Sequence, residues 1–474
     1  MYNKHLLVYA LAASVLVVGS SASGLLILGA GAAGAATGQP PAPPPAPSGP
    51  FPDATGQWSN FSNLAPQAGN PFSIALGTNG RTCASCHAPT DSWTATPAAL
   101  QQRFKSTNGA DPIFASVDGT NCPTLSQATP AGRQAASSLL LGKGLIRVAI
   151  APPAQAQFKV SFVDNPYGCA SASPVSVYRR ILPTTNLAFL SDLMWDGRET
   201  LATTNIHAAL LKQAADAVVD HAAGGVLPTA TLQSMVSFET AQFSAQVSNT
   251  AAGVLNSAGA SGGPALLAQQ TFTPGANDPF GPSAPAPGVT PSPVFTVYSS
   301  WEALQGVSPA ALVQASIGRG ERIFNTRPMT IIGAAGLNDQ ANARGQTLTT
   351  VKGTCGSCHN APNAGSSTTG RFFDTGVSHA SNRTADLPLI TLTNRTTGAT
   401  IQTTDPGIAL TTGLWADVNR FKVPTLRNLS ARAPFFHNGS AQSLDAVVNF
   451  YNNRFNLNLT SQEHTDLVAF LSAL

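Results

Sequence analysis

The chain has 474 residues, a length that allows two or three domains with sizeable cores. Charged residues make up only 10% of the sequence and the formal net charge is +3, so nothing in the charge balance indicates a nucleic-acid partner. The 42 glycines and 36 prolines predict long irregular connections on a mainly helical scaffold.

Residues 6–36, close to the amino terminus, form an apolar stretch rich in Leu, Val, Ala and Gly. This composition is typical of an export signal, and the small residues at 32–36 suit cleavage. The stretch is also long enough for an uncleaved membrane anchor. We therefore expect residues 1–36 to be a signal peptide or an N-terminal anchor, and the rest of the chain to be periplasmic or otherwise exported. Residues 37–66 are expected to be a Pro-rich linker.

Two copies of the pattern C-x-x-C-H occur far apart in the chain. They supply Cys83, Cys86, His87, Cys355, Cys358 and His359. In this pattern two thiols attach to the vinyl groups of one haem and the adjacent imidazole binds its iron. The alternatives are a zinc half-site, which requires further ligands close in space, and a redox dithiol, which requires no histidine after it. We predict two covalently bound haem c groups.

The two remaining cysteines, Cys122 and Cys169, lie in a turn-rich stretch at residues 88–180. We interpret this stretch as an insertion, because a haem-binding domain does not need it. In an oxidising compartment, two spare cysteines in one region favour a disulfide over reactive thiols. Residues 88–205 contain no histidine.

A helical pattern over residues 206–223 carries Gln213, Asp216 and His221. Because these polar side chains fall on more than one face of the helix, only some of them can face any one cavity. Further along, residues 460–463 form a capping box that predicts the start of the last helix.

Three longer runs accompany the two haem motifs. They are W-D-G-R at 195–198, F-K-V-P-T-L-R-N at 421–428 and P-F-F-H-N-G at 434–439. In these runs, in their order and in their separation, the chain resembles the dihaem cytochrome c peroxidase and MauG superfamily. The resemblance implies a mainly α fold with two cytochrome c-type haem domains and long loop-rich insertions.

The domain boundaries follow from this resemblance. Residues 67–315 are expected to form the first, peroxidatic cytochrome c domain, with the insertion at 88–180. Residues 316–474 are expected to form the second, electron-transfer cytochrome c domain.

In this superfamily a tryptophan lies between the two haems, and the matching residue here is Trp195. The sixth ligand of the relay haem is a methionine in the peroxidases and a tyrosine in MauG-type enzymes. Tyr451 matches that position, and no methionine follows His359, so the resemblance favours Tyr451 as the iron ligand. The competing ligands are His437 and His379, of which His437 is better explained as a hydrogen-bonding residue.

The first haem is expected to be open, because the stretch in which many peroxidases keep a blocking histidine contains none. Cleavage of a peroxide needs a group that accepts a proton from one oxygen and returns it to the other. His221 and Asp216 are the candidates, with Gln213 as a match to the family glutamine. Calcium between the haems is doubtful, since Ile181 stands where a side-chain ligand is expected.

These observations predict an exported dihaem c-type oxidoreductase. It would reduce hydrogen peroxide at the open haem with electrons relayed through the second haem, or use the resulting high-valent iron to oxidise a substrate, as in the MauG branch. Its partners would be hydrogen peroxide and a small redox protein or an organic or protein electron donor, with membrane contact only if the N-terminal segment is uncleaved. The alternatives are a dihaem electron-transfer cytochrome without catalysis and a dihaem oxygenase.

Overall fold

The computed structural model describes residues 48–474, apart from 66, 68, 202, 204, 274, 276, 282–291, 343, 344, 368 and 369. The predicted signal peptide or anchor at residues 1–36 lies outside this part of the chain, as does the start of the predicted linker. None of the helices in the described residues is long and apolar enough to cross a bilayer.

Short helices and short strands alternate along the chain. The helices are α1 Cys83–Cys86, α2 Pro97–Thr107, α3 Pro130–Ala136, α4 Ser138–Lys143, α5 Ile206–Asp220, α6 Thr229–Thr240, α7 Pro264–Leu267, α8 Ser299–Glu302, α9 Pro309–Thr326, α10 Ala409–Thr412, α11 Leu444–Phe455 and α12 Ser461–Ser472. The strands are β1 Phe51–Pro52, β2 Gly56–Ser62, β3 Leu145–Ile150, β4 Phe158–Asp164, β5 Val175–Arg180, β6 Gln242–Asn249, β7 Gly253–Val254, β8 Met329–Ile332, β9 Thr350–Gly353, β10 Phe372–Phe373, β11 Leu389–Asn394, β12 Thr400–Thr403 and β13 Phe421–Lys422.

The strands build several small antiparallel sheets. One sheet has the order β1-β2-β6-β7 and another the order β12-β11-β4, while β3 pairs with β5, β8 with β9 and β10 with β13. Helices therefore share the described part of the chain with short sheets. The mainly α class stays a prediction.

Part of the segment that we expected to be a linker is built into the first of these sheets. Strand β2 pairs with β6, and Trp58 is buried with its ring centroid 4.5 Å from that of Phe51. Burial of these aromatic rings stabilises an ordered strand more than a solvated polyproline spacer.

The long helix α9 packs against the last helix, α12, in the largest apolar core of the described residues. The close approach requires Gly320, because a Cβ atom there would lie 2.0 Å from the carbonyl oxygen of Asp466. Helix α12 begins at the predicted capping box, in which Thr460 and Glu463 bond to each other's backbone N–H groups. The capping box is thus confirmed.

The insertion at residues 88–180 contains α2 to α4 and β3 to β5. Its strand β4 pairs with β11, which belongs to the carboxyl-terminal half of the chain. Cys122 and Cys169 form a disulfide, as predicted, and their sequence separation is 47 residues. The disulfide thus links two parts of the insertion, and the pairing of β4 with β11 links the insertion to the rest of the fold.

Candidate functional site

Two cavities lined mainly by apolar side chains each contain one C-x-x-C-H motif. Cys83, Cys86 and His87 line the first cavity. Cys355, Cys358 and His359 line the second. The two motifs are thus placed in separate cavities rather than in one cluster, an arrangement that argues against a shared zinc site.

The first motif is held by α1, whose N-cap Thr82 and third residue Ser85 form a capping box. The single helical turn brings the two thiols to the same side, and His87 follows as the C-cap. The Nδ1 atom of His87 lies 3.3 Å from the carbonyl oxygen of Trp93, to which an Nδ1–H can donate. Burial lowers the pKa of His87 to about 4, so the imidazole is neutral and Nε2 can bind a metal.

The second motif repeats these contacts with a different turn. A 3₁₀ turn over Cys355–Ser357 carries a capping box between Thr354 and Ser357. The Nδ1 atom of His359 lies 2.6 Å from the carbonyl oxygen of Gly365, and burial lowers the pKa of His359 to about 4. In both motifs the histidine is oriented by a carbonyl group six residues further on, which leaves Nε2 for a ligand.

The four motif cysteines are not in disulfides. Burial raises the pKa of Cys86, Cys355 and Cys358 to about 12 and raises that of Cys83 as well, so all four are neutral thiols. Neutral buried thiols suit addition to the vinyl groups of a haem better than binding of a metal cation, which requires thiolates.

Buried cations lie between the two cavities. Arg180 and Lys422 line both of them and Arg432 lines the second. Burial lowers the pKa of Arg180 to about 10, that of Lys422 to about 8 and that of Arg432 to about 9. Within the described residues none of the three forms an ion pair with a carboxylate. The propionates of bound haem would supply that missing negative charge, so the residues present fit the cofactor.

Trp195 also lines both cavities and is buried. Its indole Nε1 donates a hydrogen bond of 2.8 Å to the carbonyl oxygen of Arg180, and its ring meets that of His437 edge-on at 6.2 Å between centroids. The structure therefore places Trp195 in the walls of both cavities, and its position between two haems stays a prediction.

The helix α5 directs two of its three polar candidates into the first cavity. Gln213 and His221 line this cavity, whereas Asp216 does not. Asp216 is a partly exposed residue whose carboxylate forms an ion pair of 2.5 Å with Lys212. The three candidates are thus not brought together, and of the two acid–base candidates His221 is the one that lines the cavity.

No family model matches the chain. It is 34% identical over 151 residues to the cytochrome-c peroxidase IdrP1 of Denitromonas iodatirespirans, a match that covers 28% of this chain and 39% of the relative. It is 37% identical over 143 residues to IdrP2 of the same organism, covering 27% and 38%, and 42% identical over 64 residues to the cytochrome c551 peroxidase of Nitrosomonas europaea, covering 13% and 19%. The chain matches less than half the length of each of these relatives.

Part of the chain is thus similar to proteins named cytochrome-c peroxidases. This similarity is consistent with the presence of two C-x-x-C-H motifs. Two further groups in the first cavity were not among the residues singled out from the sequence.

The first of these groups is Asp118, which belongs to the insertion. Its Oδ2 atom lies 2.5 Å from Nδ1 of His221, and its Oδ1 atom lies 2.5 Å from Nη1 of Arg81. Burial opposes ionisation of Asp118, but the hydrogen bonds to His221 and Arg81 and the positive charge of Arg81 outweigh it and hold the pKa of the carboxyl below its usual value. No sequence signal joins Asp118 to a helix that begins 88 residues later.

The second group is Glu239 on α6, which is buried and lines the first cavity. Burial raises the pKa of its carboxyl to about 8. A signal was present in the sequence: Glu239 follows Met235 by four residues and Val236 by three, so it lies on the buried apolar face of its helix.

Tyr451 lines the second cavity together with His359. Burial raises the pKa of its hydroxyl group. The same cavity is lined by Met329, on β8. Met329 precedes the second haem motif in the chain, so its presence in this cavity is compatible with the absence of methionine after His359. Tyr451 as the iron ligand stays a prediction.

The two histidines that compete with Tyr451 are placed differently. His437 lines the second cavity, stacks on Phe421 with 3.8 Å between ring centroids, and has no hydrogen bond to Nε2 within the described residues. His379 is not among the lining residues, and its Nε2 atom is bonded to Asp374 at 2.9 Å. Of the two competing histidines, only His437 therefore lines the second cavity.

Proposed function

We propose that this chain is an exported dihaem c-type oxidoreductase that reduces hydrogen peroxide at the first cavity and receives electrons through the second. The observation that carries the proposal is the ring of His221, which lines the first cavity and whose Nε2 atom has no hydrogen-bond partner within the described residues. A cytochrome that only carries electrons has no use for such a group.

Haem bound at Cys83, Cys86 and His87 would supply the iron that binds the peroxide and exchanges electrons. Reduction of one hydrogen peroxide to two waters consumes two electrons and two protons. A proton has to leave the oxygen nearer the metal and reach the farther oxygen, which departs as water. His221 can accept this proton at Nε2 and return it, and the Gln213 amide can hydrogen-bond to the peroxide.

The residues between the cavities support a relay of electrons. Trp195, Arg180 and Lys422 line both cavities, so the protein leaves one shared wall between the two sites. The buried positive charges would hold the haem propionates in this wall. The electron donor would be a small redox protein, as expected for a relative of the cytochrome c peroxidases.

A second candidate is MauG-like oxidation of an organic or protein substrate. It is favoured by Tyr451, whose hard oxygen ligand would stabilise oxidised iron relative to a thioether. Met329 in the same cavity favours the peroxidase alternative. The two candidates therefore differ in the ligand at the second site.

Electron paramagnetic resonance of the fully oxidised holoprotein tests these proposals. We expect one high-spin and one low-spin ferric signal, with only the low-spin signal changed in Tyr451→Phe and neither changed in the control Met329→Leu. A change in Met329→Leu alone would remove the support for the MauG-like candidate. Two low-spin signals would favour the electron-transfer cytochrome, with Met194 or Met235 of the first cavity as the extra ligand.

A further inference from the structure

The insertion contributes Asp118, Ile146, Val148, Arg179 and Arg180 to the wall of the first cavity, and Asp118 is the carboxylate among them. This residue is 4% exposed and lines the cavity beside His221. One of its oxygens bonds to the imidazole of His221 and the other to the guanidinium of Arg81, each at 2.5 Å. The carboxylate therefore has both a cationic partner and a ring that it can orient.

The position of Asp118 is built by several further contacts. Arg81 also donates to the carbonyl oxygens of Pro112 at 2.7 Å and Ile113 at 2.9 Å, which fastens the segment before Asp118 to the first haem motif. The Nη1 atom of Arg81 also donates to the carbonyl oxygen of His221 at 3.2 Å. The guanidinium group thus contacts both the carboxylate of Asp118 and the backbone of His221, which fixes the positions of these two residues relative to each other.

The hydrogen bond decides which nitrogen of His221 faces the cavity. An ionised carboxylate only accepts hydrogen bonds, so Nδ1 has to carry a hydrogen in order to bond to Asp118. In the neutral ring the lone pair is then at Nε2, and the only hydrogen bond of the ring within the described residues is the one at Nδ1. Without the carboxylate, the ring can take the other tautomer, in which Nε2 carries a hydrogen and cannot accept one.

We propose that Asp118 is a positioning residue for peroxide reduction: it holds His221 in the tautomer and orientation in which Nε2 accepts the proton of the bound peroxide. The inference rests on the proposed function of the first cavity. Because Asp118 belongs to the insertion, the inference gives the insertion a part in the reaction. Asp118 acts through His221 and does not exchange electrons itself.

Cyanide binding to the ferric holoprotein tests the inference apart from turnover. Near neutral pH cyanide is present mainly as HCN, whose H–C bond has to break: the proton goes to an acceptor in the cavity and the carbon binds the iron. We expect Asp118→Asn and His221→Gln each to lower the association rate constant, and kcat/KM for peroxide, by about 100-fold or more.

The double variant separates positioning from a merely structural role. If Asp118 acts through His221, adding Asp118→Asn to His221→Gln should cost nothing further, because the group that it positions is already gone. A further fall in the cyanide rate in the double variant would overturn the inference. Should Asp118→Asn fail to fold, Asp118→Glu, which keeps the charge opposite Arg81, takes its place in the same comparison.

Asp111→Asn is the matched control, because Asp111 lies in the same insertion and forms an ion pair of 2.5 Å with Arg103, yet does not line the cavity. It should leave both rates near those of the wild type. Fast cyanide binding by the wild type with equal rates in Asp118→Asn would overturn the inference and leave the proposed function standing. A wild type that neither binds cyanide nor reduces peroxide would overturn both.

Discussion

Replacing Glu239 by glutamine should stabilise the folded protein at neutral and alkaline pH. The side chain is 4% exposed, and no hydrogen bond or ion pair satisfies its carboxyl within the described residues. Burial raises its pKa from 4.5 to about 8, because the charged form is poorly solvated in the first cavity. Glutamine has nearly the same shape and never ionises, so it removes this penalty without opening a cavity.

The magnitude follows from the two pKa values. Between pH 4.5 and pH 8 the folded chain keeps a proton that the unfolded chain has released, so this group lowers the free energy of unfolding as the pH rises. The slope is about 1.4 kcal/mol per pH unit, which amounts to roughly 3 kcal/mol at neutral pH. At acid pH below 4.5 both states are protonated and the contribution vanishes.

The assay is denaturant unfolding of the wild type and Glu239→Gln holoproteins across this pH range. Glu321→Gln serves as the control, because burial raises the pKa of Glu321 as well but its carboxyl accepts hydrogen bonds from Ser299 and from the backbone N–H of Tyr298. That variant should lower stability by about 1–3 kcal/mol through its weakened hydrogen bonds. Parallel stability curves for the wild type and Glu239→Gln between pH 4.5 and pH 8 would refute the reasoning.

Two further changes have defined outcomes. Replacing Cys122 and Cys169 by serine opens a loop of 47 residues and so increases the conformational entropy of the unfolded chain. This should lower the free energy of unfolding in denaturant titrations by about 4 kcal/mol. A loss under about 1 kcal/mol would contradict this entropic explanation. Trp195→Phe should slow the oxidation of the second site after peroxide is added, as followed by stopped-flow absorbance. Trp301→Phe removes another buried indole, which lines neither cavity, and should leave that rate unchanged, so equal slowing in both variants would count against a relay through Trp195.

Local patterns in the sequence were sufficient to locate the two C-x-x-C-H motifs and the start of the last helix. A C-x-x-C-H run holds both thiols and the imidazole within one turn, and a capping box closes over four residues. The disulfide could be predicted by counting, because only Cys122 and Cys169 were left over once the motifs were assigned. The motifs and the capping box involve only residues close in sequence, and the two remaining cysteines had no other cysteine to pair with.

The choice among the polar residues of α5 needed the tertiary structure. Asp216 and His221 are five residues apart, so they point about 140° apart on the helix and only one can face a given cavity. The periodicity of the helix does not show which of its faces packs against the rest of the protein. Packing turned His221 toward the first haem motif and left Asp216 with Lys212 at the surface.

The sequence by itself determined two C-x-x-C-H motifs, a spare pair of cysteines and a likeness to the cytochrome c peroxidases, because short motifs depend on neighbours in the chain. Only the tertiary structure brought Asp118 of the insertion to His221 and Met329 to the cavity of Tyr451. These contacts join residues more than a hundred positions apart, and burial in a shared cavity, not spacing along the chain, decides which of them meet.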